Sequence, residues 1–166
     1  MAVYSFKDIQ AALEGAGGSI NLGSGAAIAE EGITIEPVED KNVMTVGADG
    51  AGMHSLIAND SATVTVRLLK TSPVNAQLQQ MYNHQVLSAA THGRNTLTIR
   101  DVARGDVIVL SGVAFKRRPS ITYAKEGGTT EWVFDALRVS QTPKSQSWEA
   151  AEPTLTQEPS VFSEIC

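Results

Sequence analysis

Residues 62–90 read ATVTVRLLKTSPVNAQLQQMYNHQVLSAA, and one periodicity changes into another along this stretch. From Ala62 to Leu68 apolar and polar residues alternate, a period of two that predicts a β-strand with one buried face. After Lys70 the apolar spacing becomes helical, with Ser72 as the N-cap and Pro73 as the first helical residue. The predicted apolar stripe of this helix comprises Val74, Leu78, Met81, Tyr82, Val86 and Ala89.

The rest of the chain reads as strands and turns, so the sequence predicts a mainly β (α+β) fold with one strong helix. Gly112 indicates a bulge in a long strand, and Gly127-Gly128 indicates a hairpin turn. The predicted strands are Ile33–Ile35 with Pro37 at an edge or bulge, Val43–Val46, Thr96–Arg100, Val107–Phe115, Ile121–Lys125 and Thr130–Val139.

Two segments carry weaker signals. Residues 3–13 are predicted to be mostly extended, with Tyr4 and Phe6 on one face, and a helix over residues 8–14 is the alternative. From Gly47 to Asp60 the periodicity fails, which predicts a long connection. Long connections in compact domains are usually functional. A P-loop would need a lysine followed by serine or threonine after its glycines, and this segment has neither.

Composition divides the chain into a folded part and a tail. The 166 residues are 42% hydrophobic and 19% charged, enough to bury a core within one domain. The net charge of −5 argues against a general nucleic-acid binder. We predict a β domain over residues 1–140. Residues 141–166 are rich in Pro, Ser and Glu, and are predicted to form an extension or arm.

Cysteine content and hydropathy indicate the cellular compartment in which the protein is made. Cys166 is the single cysteine, so the chain cannot form an intramolecular disulfide. The first residues show neither a basic start nor an apolar run, and no window approaches the roughly 20 apolar residues that span a bilayer. The sequence therefore predicts a soluble protein made in a reducing cytoplasm.

No motif supports catalysis, a cofactor or a metal. His54, His84 and His92 lack the spacing of a helical ligand pair. Ser24 lies between glycines but outside a Gly-x-Ser-x-Gly elbow. A hydrolase would require Ser24, Asp49 and His54 to converge in space. We therefore predict a non-enzymatic protein with no catalytic, cofactor-binding or metal-binding residues.

Several segments together resemble the bacteriophage tail tube proteins, over roughly residues 3–140. The segments that carry the resemblance are GSINLGSG (18–25), AEEGITI (29–35), EDKN (39–42), VTVRLLKTSPVN (64–75), RDVARGD (100–106) and YAKEGG (123–128).

This resemblance implies a structural subunit of a virion tail. Subunits of that family typically combine a β-sandwich or partial barrel with one flanking helix. They form hexameric rings stacked into a hollow conduit for genome delivery, and about four strands of each subunit complete a barrel shared between subunits. The implied partners are other copies, a tail sheath, a baseplate hub, and tape measure and tail terminator proteins. The resemblance also implies that DNA passes through the lumen without specific binding and that assembly takes place in the host cytoplasm.

The resemblance also suggests which residues make contacts between rings. The candidates are the segment Gly47–Ile57 and the N-terminal segment, that is, Tyr4, Phe6, Asp49, Met53, His54 and Leu56. Two alternatives stay open. One is the tube of a related contractile injection system, such as a tailocin or secretion tube. The other, from a different class, is a monomeric β-sandwich that binds a ligand.

Overall fold

The structure is a computed structural model that describes residues 3–143, except for the side chains of residues 29–31. A short 3₁₀ turn at Phe6–Asp8 precedes the first strand. The elements that follow are β1 (Ile9–Gly15), β2 (Gly18–Asn21), β3 (Ile28–Pro37), β4 (Asn42–Val46), β5 (Gly52–Leu56), β6 (Ala62–Leu69), α1 (Val74–Gln85), β7 (Asn95–Asp101), β8 (Val107–Arg117), β9 (Thr129–Ala136) and β10 (Arg138–Thr142).

The strand-to-helix switch predicted at residues 62–90 is confirmed. Along β6 the alternate residues Ala62, Val64, Val66 and Leu68 are buried. The helix begins at Val74 with Pro73 as its N-cap, so the predicted start, with Ser72 as the N-cap and Pro73 as the first helical residue, is one residue too early. Ser72 Oγ still accepts the Val74 N–H at 3.3 Å.

The predicted apolar stripe of the helix is wrong at its end. Helix α1 ends at Gln85, and Val86 and Ala89 are exposed. The fourth buried residue of the helix is Gln85, because a partner amide from β7 compensates for burying its side chain.

Strand β8 belongs to two sheets. Its first half pairs with β7 and β10, and its second half pairs with β9. We call β2-β1-β7-β8-β10 the first sheet and β3-β6-β9-β8 the second sheet. At Gly112, where the halves meet, φ is +63° and the register to β7 slips by one residue, which confirms the predicted bulge. A Cβ at this position would lie 2.8 Å from the Cβ of Leu137.

One hydrophobic core fills the space between the sheets and the helix, with Phe115 among its aromatic residues. The Phe115 ring centroid lies 5.6 Å from that of Tyr82, 5.9 Å from that of Trp132 and 4.8 Å from that of Phe134. The fold class is therefore confirmed: a β-rich fold with one flanking helix, whose sheets do not close into a barrel within the described chain.

The N-terminal prediction is wrong in detail. Residues 6–8 form a 3₁₀ turn because the Lys7 N–H donates to Ser5 Oγ at 3.3 Å, so Tyr4 and Phe6 do not share a strand face. The strand starts at Ile9, which also excludes the alternative helix over residues 8–14.

Three predicted connections also differ. The segment 47–60 is not a long loop, because Gly52–Leu56 forms β5. Residues 121–125 form no strand, so Gly127-Gly128 leads into β9 without a β-hairpin. The predicted strand 130–139 breaks at Leu137, because β9 pairs in the second sheet and β10 in the first.

Strand β3 lies at one end of the strand order and ends at Pro37, which fits the predicted edge position. Strand β10 extends to Thr142, just past the predicted boundary at residue 140. From residue 144 onward the predicted arm lies outside the described residues, and the division into two parts stays a prediction.

Candidate assembly surface

Strands β4 and β5 form a hairpin that stands apart from the sandwich. They pair only with each other, in a separate two-stranded sheet. At the tip, the Gly47 N–H donates to the Ala51 carbonyl at 2.7 Å, and the Asp49 carboxylate accepts the Ala51 N–H at 3.1 Å. Gly50 adopts a φ of +85°, a left-handed conformation that glycine accommodates without strain. Local hydrogen bonds therefore define the tip.

Both faces of the hairpin carry exposed apolar side chains. Met44, Val46 and Leu56 share one face in the pairing register, and Val43 and Met53 share the other. Leu56 is 86% exposed, and the others are between 47% and 62% exposed. An isolated two-stranded hairpin is marginally stable in water, and clustered exposed apolar groups mark interaction surfaces. The hairpin is thus a candidate surface for assembly.

The structure brings four of the predicted contact residues together in this hairpin. Met53, His54 and Leu56 lie on β5, and Asp49 lies in the turn. His54 Nδ1 lies 3.1 Å from Asn42 Nδ2 across the strand pair. The contact residues predicted from the sequence do not include the β4 half of the surface. Its signal was the run of Val43, Met44 and Val46, which matches no buried stripe elsewhere.

Tyr4 and Phe6 lie instead beside the turn that follows β7. The Tyr4 ring, 62% exposed, has the guanidinium carbon of Arg104 at 5.7 Å from its centroid. Phe6 is half-buried. The backbone joins the same turn, since the Val102 N–H donates to the Asp8 carbonyl at 2.9 Å. These two residues form a second patch, centred on the N-terminal segment.

A groove of about 370 Å³ opens beside the base of the hairpin, between β3 and β10. Ile35, Ile108 and Val139 supply much of its apolar lining. Lys41 and Asp60 form an ion pair at its rim. The groove offers apolar contact area with a charged rim. Ser61 lies in its lining with the carboxylates of Glu39 and Asp60, and no histidine that could act as a base for this hydroxyl is in the lining.

Residues that a hydrolase would need do not form a catalytic arrangement. His54 Nδ1 is engaged with Asn42, whereas Ser24 lies beside the start of β1, where its N–H donates to the Ile9 carbonyl at 2.9 Å. Among residues 3–143, leaving out the side chains of residues 29–31, no group of three or more His, Cys, Asp or Glu side chains is placed to hold a metal ion. In the same range no helix is long and apolar enough to cross a membrane.

A family model described as bacteriophage PhiTE tail tube protein matches residues 1–142. The chain belongs to this family. It is a structural subunit of a phage tail tube, and its place is in the virion tail with other tail components. The family match spans every strand and the helix described above, and it includes both candidate contact patches.

Solved structures share the fold of this tail tube protein at low sequence identity. The sheath/tube terminator of the extracellular contractile injection system PVC, in the extended state, superposes with a TM-score of 0.55 and 13% identity. That match covers 86% of this chain and 96% of the other. A chain from the tail of an empty GTA particle, refined with C6 symmetry, gives a TM-score of 0.54 and 13% identity, over 84% and 99% of the two chains. Among curated protein sequences, none matches this chain.

Proposed function

We propose that this tail tube protein forms homohexameric rings that stack into a hollow conduit, with the β4–β5 hairpin making the contact between rings. The observation that carries this proposal is the hairpin itself, which pairs with no other described strand and exposes apolar residues on both faces. A ring number of six is supported by the family resemblance and by the C6 symmetry of the similar GTA tail.

The open edges of the sheets support lateral assembly. The second sheet has four strands, and β3 occupies its outer edge. An unpaired edge is a template for pairing with another chain, and closure into a barrel removes it. Completion of a shared barrel between neighbouring subunits of the ring would satisfy these backbone groups. The N-terminal patch of Tyr4 and Phe6 is the second proposed contact between rings.

The remaining parts of the proposal concern what the tube does. The conduit delivers the genome and binds DNA without specificity. The subunit has no catalytic role. The tube meets the sheath, the baseplate hub, the tape measure and the terminator proteins, and it assembles in the host cytoplasm. Similarity to the sheath/tube terminator of a contractile injection system supports contacts of this kind.

Replacing Leu56 with serine is expected to leave rings intact and to raise the critical concentration for tube growth about tenfold or more. Burying one leucine contributes about 1.5–3 kcal/mol, and this side chain is available only for contact with another molecule. Negative-stain electron microscopy across a concentration series would measure ring numbers and tube lengths.

Leu87→Ser is the matched control, because Leu87 is also a leucine, is 82% exposed and lies beyond the end of helix α1. We expect tubes of normal length from this variant. Normal tubes from Leu56→Ser would contradict the role of the hairpin. If the unaltered chain stayed monomeric even on a baseplate seed, the proposed function would fail and a ligand-binding module would become the better hypothesis.

A further inference from the structure

One end of the second sheet is acidic. Residues 36–60, which we call the acidic segment, contain five carboxylates and one lysine, a formal charge of −4. Its carboxylates are all exposed: Glu36, Glu39, Asp40, Asp49 and Asp60. Asp60 pairs with Lys41, which leaves the negative charge in excess. The β4–β5 hairpin projects from this segment, so the acidic groups surround the proposed apolar contact.

The basic surface consists of Lys70, Arg117, Arg118 and Lys125, all exposed. Residues 117–128 include only one acidic residue, Glu126, so the surface with this segment carries a formal charge of +3. Lys70 holds the segment in place, because its ammonium donates to the Thr122 carbonyl and lies 4.3 Å from the centroid of the Tyr123 ring. Arg117, Arg118 and Lys125 make no ion pair with any side chain that the structure describes.

The strand register places the acidic segment at one end of the second sheet and Lys70 with residues 118–128 toward the other. Arg117 pairs with Val133, which is opposite Thr65, so it lies midway. At one end Ala62 pairs with Pro37, directly before the remainder of the acidic segment. At the other end Leu69 pairs with Thr129, and the Lys70 N–H donates to the Gly128 carbonyl at 3.1 Å. Strand β6 alone spans about 23 Å between these ends, at about 3.3 Å per residue.

This separation prevents the charges from neutralising each other within one copy. The Debye length at physiological salt is about 8 Å, so charges about 23 Å apart at the surface interact only weakly. Two copies that stack in the same orientation would bring the acidic end of one against the basic end of the other. Such a head-to-tail contact is heterologous, the type of contact that builds open filaments.

We propose that the acidic segment of one copy docks on the basic surface of a second copy in the same orientation, so that charge complementarity sets the polarity of ring stacking. The inference rests on the proposed function. It adds the surface on which the hairpin-bearing segment docks and the relative orientation of successive rings. A reversed ring would set acidic segment against acidic segment, and like charges suppress such a pairing.

The test uses two charge-reversal variants of the full chain. Arg118→Glu with Lys125→Glu changes the formal charge of the basic surface from +3 to −1, and Glu36→Lys, Glu39→Lys and Asp40→Lys together change that of the acidic segment from −4 to +2. Each variant alone is expected to raise the critical concentration for stacking at least about tenfold at about 0.15 M salt, while rings still form. Rings of the two variants, mixed in equal amounts, should stack again because their facing ends then carry opposite charges.

The control is Arg94→Glu with Arg138→Glu, which changes the net charge by the same amount as the variant of the basic surface, at exposed positions outside the proposed contacts. It should stack like the unaltered chain. Stacking of the unaltered chain should also weaken between about 0.05 and 1 M salt, because screening shortens the reach of surface charges. Normal stacking of either variant alone, or no recovery on mixing, would overturn the inference while leaving the tube itself intact. Absence of rings and tubes from the unaltered chain would instead refute the proposed function.

Discussion

Replacing Phe115 with alanine is expected to lower the free energy of unfolding by about 4 kcal/mol. Phe115 is 4% exposed, and its ring contacts Tyr82 on the helix as well as Trp132 and Phe134 on β9. Truncation removes apolar area from the core and leaves a cavity that the surrounding strands and helix restrict from collapsing. Urea unfolding followed by far-ultraviolet circular dichroism, at a concentration below that needed for assembly, would measure the change.

Tyr123→Ala is the control for this experiment, because it also removes an aromatic ring but at a position that is 87% exposed. Its cost should stay below about 1 kcal/mol, which includes the loss of the contact with Lys70. An equal cost for the two variants would show that the aromatic cluster does not stabilise the fold as its packing suggests.

Replacing Gln85 with alanine is expected to cost about 3 kcal/mol, although the residue is polar. Its Nε2 donates to Asn95 Oδ1 at 2.7 Å and to the Ala16 carbonyl at 2.9 Å, and Asn95 Nδ2 donates back to Gln85 Oε1 at 2.8 Å. Both side chains are fully buried. The substitution would leave the Asn95 amide in the core without its partner, and each unpaired buried polar group costs about 1–3 kcal/mol.

A double-mutant cycle with Gln85→Ala, Asn95→Ala and both together separates this effect from lost packing. We expect a coupling energy of about 1.5 kcal/mol or more, because the second substitution removes the group that the first leaves unpaired. If the two costs were additive, the hydrogen bonds between the amides would add nothing to the free energy of unfolding beyond the packing of the two side chains. Gly15 is part of the arrangement, since a Cβ there would lie only 1.8 Å from Asn95 Oδ1.

The sequence predicted the strands and the helix that have one buried face and one exposed face. Strand β6 and helix α1 were predictable because one face of each is buried. Burial of one face spaces the apolar residues at a regular interval that is visible in the sequence. Strand β5 was not predictable in this way. Its side chains are mostly exposed on both faces, so no alternation distinguishes Gly52–Leu56 from a loop.

The candidate assembly surface was predicted in part for the same reason. Its location near Met53, His54 and Leu56 followed from the family resemblance, whereas its form as a hairpin with two apolar faces required the pairing of β4 with β5. Gln85 is a buried residue that the sequence did not reveal. A glutamine on a helix reads as solvent-facing, and only the position of Asn95 in three dimensions makes its burial favourable.

By itself, the sequence determined the β-rich class, the helix that follows β6 and the bulge at Gly112, because local periodicity and backbone preference encode each of these. The family followed from the resemblance of several segments to tail tube proteins. Only the tertiary structure decided that β8 joins two sheets, that Gln85 and Asn95 pair in the core, and that acidic and basic surfaces lie toward opposite ends of the second sheet. These features depend on residues far apart in the chain. Long-range strand register brings them together or separates them, and no local pattern records that register.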